Sequence, residues 1–320
     1  MHHLLLPIAG PLVLASVLAS CSSTPPAAVP ATSAPEPEAV PLTYAMTGTQ
    51  APDGWRPRPV VVIKVDNTTD GRPQLGVDSA DLVIEEPVEG GLTRLATFFE
   101  SELPETVGPV RSVRISDIGL VDPVRATVVA SGGAPDSLAA FEKAGVTLVT
   151  EGSPALGRDS TRPAPYNLFA DPSKIDRLVK GTVPPKPYFD FGTPDLAQGA
   201  RAERVTLTFS PSRSETWQAA KKGWRSSDTG YAADTIVVLT VKTRDTGERD
   251  AAGSPIPEVI STGRGAGFLL TEGQVHQIRW SKRTPSAAWR FTTPAGLSVP
   301  IPPGRTWVAL MEQTGQVDFD

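Results

Sequence analysis

Four short blocks hold the residue types that could do chemistry. Val65-Asp66-Asn67 closes an apolar run and is followed by Arg72-Pro73-Gln74. An aspartate at the carboxyl end of a buried strand stands where ligands gather in open α/β sheets. It would hold Mg²⁺ through oxygen, orient an arginine, or with Asn67 simply close a turn. In Glu89-Gly90-Gly91-Leu92-Thr93-Arg94, an acid and an arginine flank two glycines. Such glycines let backbone approach a ligand or take positive φ; the same pattern also makes a hairpin turn with an ion pair worth at most about 1 kcal/mol. Gly108-Pro109-Val110-Arg111-Ser112-Val113-Arg114, then Asp117, spaces two arginines three apart. On a helical turn they share a face and form a fork for phosphate or carboxylate. On a strand they diverge, and matched to Glu85, Glu86 or Glu89 they are structural. The candidate ligand residues are therefore Asp66, Asn67, Arg72, Glu89, Arg94, Arg111, Arg114 and Asp117, with Asp66 the candidate metal ligand. No catalytic residue is assigned.

The fourth block, Gly263-Arg264-Gly265-Ala266-Gly267, lies between two strand patterns. A phosphate-cradling loop needs a strand before it and a helix after it, so this one reads as a bulged bend. Trp280, Trp289 and Trp307 suit a small β core or a sugar-binding face. His276 shares strand parity with Ile278 and Trp280 and reads as a packed histidine. There is no G-x-S-x-G, S-x-x-K, H-E-x-x-H or Walker A pattern. A single cysteine excludes an internal disulfide and a thiolate metal site. The net charge of −5 argues against nucleic-acid binding. Any chemistry rests on carboxylates, arginines, hydroxyls and backbone amides, and no cofactor is specified.

The one cysteine, Cys21, closes the run Leu18-Ala19-Ser20-Cys21 after an apolar stretch from Leu4. That stretch is broken by Pro7, Gly10 and Pro11 and is too short for a spanning helix, which needs about 20 apolar residues. It resembles a lipoprotein signal peptide cut before a lipid-bearing cysteine, although its start, Met1-His2-His3, lacks the usual lysine or arginine. The lipid on Cys21 would tether the chain to the extracytoplasmic face of the bacterial cell membrane. Residues 21–55 are rich in Pro, Ala, Ser and Thr and read as a semi-extended stalk.

These blocks need positioning elements. Pro59 to Val65 is a continuous apolar run and reads as a buried central strand. Val77 to Ala80 is a helical turn capped by Asp78 or Ser79. Asp81 to Val88 is a strand whose Pro87 points to a sheet edge, and Leu92 to Phe99 is its return. Arg125 to Ala130 and Val146 to Thr150 are further strands. Pro135 to Ala144 is a helix with Leu138 and Phe141 on one face and Gly145 as its left-handed stop. From about residue 202 the pattern is nearly all β: Val205 to Phe209, Thr235 to Lys242, Pro257 to Thr262, Gly267 to Thr271, Gln274 to Ser281, Ala288 to Thr293 and Thr306 to Met311. The expected fold is an α/β domain, a mixed sheet with helices, over 56–200, followed by a β-rich domain over 201–320, after a signal peptide at 1–20.

Taken together, the four blocks, with Gly76, Ala80-Asp81-x-Val83, Gly132-Gly133, Trp280-Ser281-Lys282 and Pro303-Gly304-x-Thr306-Trp307, resemble the YerB-like lipoprotein family, a two-part domain of unknown function. The resemblance covers about residues 56–312 and implies a cell-envelope lipoprotein. The order of a strand ending in Val-Asp, an Arg-x-x-Arg-x-x-Asp segment and a Gly-Gly turn before a helix is also loosely similar to the LytR-CpsA-Psr glycopolymer transferases. That similarity implies arginines on a polyprenyl pyrophosphate and an acid-bound Mg²⁺. Three functions follow as expectations. One is a binding module for a cell-wall glycan, a lipid-linked precursor or an envelope protein, working through the Asp66/Arg94/Arg111/Arg114 surface. The second is a Mg²⁺-dependent phosphotransferase or hydrolase in which those four residues converge. The third is a structural lipoprotein whose arginines are buried and paired.

Overall fold

Runs of β-branched residues dominate the chain, and the computed structural model, which describes residues 41–178, 184–250 and 253–320, turns nearly all of them into sheet. Cys21, the signal segment and most of the expected stalk lie outside the described residues. In chain order the strands are β1 Val61–Asp66, β2 Leu82–Pro87, β3 Thr93–Phe99, β4 Thr127–Val129 and β5 Leu148–Val149. A small hairpin, β6 Leu156–Arg158 and β7 Leu168–Ala170, follows, then β8 Ala200–Arg201, β9 Arg204–Ser210, β10 Arg213–Ala219, β11 Trp224–Ser226 and β12 Ala232–Ala233. The rest are β13 Thr235–Arg249, β14 Pro255–Ile260, β15 Gly263–Thr271, β16 Gln274–Lys282, β17 Arg290–Thr292, β18 Thr306–Glu312 and β19 Gln316–Phe319. Helices are few: α1 Ser116–Val121, α2 Pro135–Ala144 and α3 Pro172–Leu178.

The main sheet has the order β17-β16-β15-β13-β18-β2-β3-β1-β4-β5, with β14 on β13 and β8 on β16. It is mixed, and it crosses the boundary expected near residue 200 because β18 pairs in parallel with β2, Thr306 opposite Leu82 through Ala309 opposite Glu85. β1, β2, β4, β5, β13 and β18 share one direction, as the parallel pairs and the antiparallel β3 between β1 and β2 require. Their carboxyl ends therefore gather at one edge.

Side-chain alternation divides β1 between the two faces. Val62 packs with Ile84, Ala96, Phe98, Leu120, Phe141 and Tyr188 under the short helices. Val61, Ile63 and Val65 face a second sheet of order β12-β11-β10-β9-β19, whose Leu207, Trp217 and Trp224 meet Trp307 and Val83. The Trp217 and Trp307 ring centres lie 5.0 Å apart. Trp280, Trp289 and Trp307 are all buried, so they belong to the core and not to a sugar face.

The structure departs from expectation in places that have physical causes. Among the described residues the amino-terminal half is poorer in helix than an α/β sandwich, since only α2 exceeds seven of them. α2 itself ends at left-handed Gly145 as expected, with Phe141 buried but Leu138 half-exposed. β2 lies inside the sheet, but its ladder with β18 stops at Glu85, so Pro87 sits at a strand end that is paired on the β3 side and open on the other, as its missing N–H requires. The 3₁₀ turn Val77–Ser79 has no side-chain cap; left-handed Gly76 precedes it. Gly263 to Gly267 is no bulge but part of an unbroken strand in register with β16. Within residues 41–55, expected in the stalk, Ala45, Met46, Thr47 and Ala51 are buried, and the Met46 backbone N–H donates to Glu100 Oε2 at 2.9 Å.

Candidate functional site

The carboxyl edge of the parallel strands concentrates charge. Arg94 of β3 stands opposite Asp66 of β1 on one side and opposite Glu86 of β2 on the other. Directly opposed residues share a face, so Asp66, Arg94 and Glu86, with Lys64 two residues before Asp66, all point to the side covered by α1.

On that face the ion pairs form a chain. Lys64 Nζ lies 2.6 Å from Glu86 Oε1 and 2.7 Å from Asp117 Oδ1, and both its side chain and theirs are fully buried. Asp117 Oδ2 accepts the backbone N–H of Arg114 at 2.7 Å. Arg114 donates through Nε to Glu89 Oε2 at 2.9 Å and through Nη2 to Glu89 Oε1. Arg94 Nη2 donates to the same Oε1 at 2.9 Å, and its Nη1 to the Ser112 carbonyl at 3.0 Å. Asp66 Oδ2 meets Arg111 Nη1 at 3.0 Å, while its Oδ1 accepts the N–H and hydroxyl of Thr68. Four cations thus face four carboxylates.

The electrostatics follow from burial and partners. Burial pushes the Glu89 carboxyl up, but Arg114 and Arg94 outweigh it and hold it below its ordinary value. Burial, with the charge of Arg114, brings the Arg94 guanidinium down to about 10, still cationic at neutral pH. Burial lowers Lys64, yet Asp117 and Glu86 more than offset this and the net shift is upward. Burial and the charge of Asp117 push Glu86 up to about 7 in spite of Lys64. Its Oε2 has no hydrogen-bond partner.

Of the residues expected from sequence, Asp66, Glu89, Arg94, Arg111, Arg114 and Asp117 are brought together. Asn67 and Arg72 are not part of this group. Asn67 points to the other face, where its amide donates to Glu85 Oε1 and Thr93 Oγ1, both at 2.9 Å. Arg72 reaches the Asp228 carbonyl at 3.2 Å beside the second sheet. Arg111 and Arg114 lie on neither a helix nor a strand; each goes to a different acid, so they make no common fork. Asp66 is a poor metal ligand as it stands, because one oxygen carries a guanidinium and the other two donors. Among the described residues no three His, Cys, Asp or Glu side chains gather as a cation site would need. His276 is half-buried, and burial lowers its pKa.

Lys64 escaped the sequence reading, in which Glu85 and Glu86 entered only as possible partners of Arg111 and Arg114, and the second buried group on the opposite face escaped it as a group. There Glu85 Oε1 accepts from Asn67, Thr93 and Arg213, and Arg213 also donates to Glu215 Oε2 at 2.8 Å. A lysine within PVVVIKV and two glutamates within LVIEEP are charges inside apolar strand patterns, a visible signal. Arg213 carries no such mark.

The buried cluster opens to solvent chiefly at Arg111, whose side chain is 22% exposed. Its guanidinium lies over the Tyr166 ring at 5.4 Å. Half-buried Ser112 and Ser131 stand beside it, hydroxyls 3.1 Å apart. On the other side of Glu89 runs an open groove of about 840 Å³, lined by Leu92, Phe209, Pro211, Pro257 and Glu312. Gly90 and Gly91 shape its wall, both at φ near +70°.

The same blocks recur in known sequences. Residues 46–184 match the family described as Protein of unknown function (DUF3048) N-terminal domain, and residues 197–308 match its C-terminal domain. The chain belongs to this family. It is 34% identical over 127 residues to a Bacillus subtilis protein, YerB, whose curated name provisionally makes it a lipoprotein. That alignment spans 38% of this chain and 38% of the relative. The crystal structure of the YerB protein from Bacillus subtilis has the same fold, with a TM-score of 0.73 at 22% identity, covering 87% of this chain and 99% of that one.

Proposed function

We propose that the protein is a lipid-anchored module on the extracytoplasmic face of the bacterial cell membrane, binding an anionic envelope ligand or a protein partner. The Cys21 motif and the likeness to a relative named as a lipoprotein support the anchor. The observation that carries the binding reading is the closure of the charge cluster: Glu89 already holds Arg94 and Arg114, and Asp66 already holds Arg111. A phosphotransferase would need a carboxylate free for Mg²⁺ and guanidiniums free for phosphate. Here those groups neutralise one another and set the shape of the sheet edge, leaving Arg111, Ser112 and Ser131 as the part that meets solvent.

Two measurements test this. Cells expressing the chain are fractionated with and without Cys21→Ala; the membrane-bound protein is expected to become released, and unchanged partition would sink the anchor. Thermal unfolding is then followed with pyrophosphate and Mg²⁺. A ligand at 100 times its dissociation constant adds about 2.7 kcal/mol. A rise in melting temperature that is lost in Asp66→Asn would favour the transferase over the binding module.

A further inference from the structure

The carboxyl-terminal strands carry a second concentration of charge that the buried cluster does not use. Between Val259 and Met311 the sole acid is Glu272, while Arg264, Arg279, Lys282, Arg283, Arg290 and Arg305 are basic, in a chain of net charge −5. The strand register places Arg264 of β15 opposite Ser281 of β16, and Ser281 opposite Arg290 of β17. Arg279 stands opposite Ala266 and Thr292. Opposed residues share a face, so Arg264, Arg279 and Arg290 project to one side, with Arg283 two residues past Ser281. At the ordinary strand spacing the outer two rows are about 10 Å apart. All four arginines are exposed, and among the described residues none of their side chains takes part in a hydrogen bond or ion pair.

This face continues one that elsewhere is covered. Going back along β15, Leu270 and Phe268 have the same parity as Ala266 and Arg264 and pack under the second sheet. Where that cover stops, the pattern turns from apolar to arginine. The small Ala266 leaves an open cleft of about 1350 Å³, lined by Arg264, Phe268, Gln277, Arg279, Arg283 and Thr292. Behind it the Trp280 indole lies against Gly265, where a side chain would strike it, and its Nε1 donates to the Thr240 carbonyl at 3.1 Å. The floor is therefore a packed sheet, and the arginines stand on a fixed base.

We propose that this cleft binds a linear polyanion of the envelope, a chain of phosphodiester or carboxylate repeats, through Arg264, Arg279 and Arg283 of its lining, with Arg290 beside it on the same face. Guanidiniums give paired hydrogen bonds to either group, and a row of them matches a repeating charge where a single ion would use one at a time. The cleft lies six strands from β1 in the sheet order, about 30 Å from the Arg111 opening. The choice of a polymer over the bilayer rests on the face itself: the arginines stand along a recessed cleft that spans adjacent strands, and none of the residues lining it is an exposed large apolar side chain that could enter a bilayer.

The test uses the full chain in detergent, with long-chain inorganic polyphosphate, poly-glutamate, orthophosphate and phosphatidylglycerol vesicles as probes. Binding of at least one long polyanion is expected, weakened more than tenfold between 50 mM and 300 mM salt as screening requires. It should fall more than tenfold in Arg264→Gln/Arg279→Gln, whose exposed positions leave the melting temperature unchanged, and stay intact in Arg111→Ala. Orthophosphate at equal phosphate concentration should not compete. Equal binding by the double variant, or no binding of either polyanion, would overturn the proposal. Binding to vesicles alone would replace the polymer with the bilayer and overturn the proposal, without touching the Cys21 fractionation result.

Discussion

Glu85 and Glu86 are neighbours on one strand, and the alternation of β2 sends them to opposite faces of the sheet. Each joins a buried group of one cation and two carboxylates: Glu85 and Glu215 with Arg213, Glu86 and Asp117 with Lys64. The composition is the same and the satisfaction is not. Glu85 takes three neutral donors besides Arg213: Asn67, Thr93 and, at 3.3 Å, the Trp307 indole. Glu215 takes the Ser226 and Thr229 hydroxyls. Glu86 has Lys64 at one oxygen and nothing at the other. Hydrogen bonds to the charged form hold a carboxylate ionised, and burial without them lifts its pKa. Neutral donors and the five-donor fork of arginine, more than the count of charges, separate the two groups.

The largest way to break the comparison is Arg213→Met. It strips the Arg213 cation from Glu85 and Glu215 and leaves two buried carboxyls between the sheets without it. Removing one partner of a buried ion pair costs about 3–5 kcal/mol, and a loss in that range is expected from denaturant unfolding at pH 7. A loss under about 1 kcal/mol would mean that the neutral donors suffice without the cation.

Lys64→Met is the matching change on the other face and is expected to cost less at neutral pH. Glu86 is already pushed up to about 7, so it can take a proton and leave one charge to house instead of two. The loss should therefore shrink between pH 8 and pH 5.5, and by more than that of Arg213→Met, because Glu215, which burial also raises, keeps the Ser226 and Thr229 hydroxyl donors that Glu86 lacks. Parallel pH dependence in the two variants would dissolve the distinction. Unfolding curves of both proteins across that range decide it.

Much of this organisation was legible in the sequence, and the illegible parts share a cause. β1, β3, α2 and the two strands of the β15–β16 hairpin came from local periodicity, with Gly145 as the helix stop. The blocks around Asp66, Glu89 and Arg111 to Asp117 were visible as polar residues interrupting such patterns, and they do meet. What local pattern does not carry is pairing between distant segments: β18 beside β2, or Arg213 reaching Glu85 across 128 positions. Direction was illegible for the same reason. Nothing in Gly-Pro-Val-Arg-Ser-Val-Arg says that Arg114 turns inward to Glu89 while Arg111 stays partly open. The arginines of β15 to β17 were hidden by strand alternation across three strands, which only the register assembles into one face.

Glu86→Gln sharpens the comparison with the smallest change, one isosteric exchange that removes the raised titration and keeps the oxygen facing Lys64. A carboxyl whose folded pKa lies above its unfolded value of about 4.5 binds more protons folded than unfolded between those two values. Its contribution is present below the unfolded pKa and lost as pH rises through about 7. At about 1.36 kcal/mol per pKa unit, that is a decline of about 3 kcal/mol across the interval. Glutamine cannot titrate, so the variant should lose this part of the slope, matching the parent near pH 4.5 and exceeding it at pH 8. The gain at pH 8 will be smaller than the full decline, because Asp117 alone then faces Lys64 as an ion pair and the amide is a weaker acceptor than a carboxylate. If the parent and Glu86→Gln keep the same slope between pH 5 and 8, Glu86 is ionised throughout. Lys64 would then satisfy its two carboxylates as fully as Arg213 does on the opposite face.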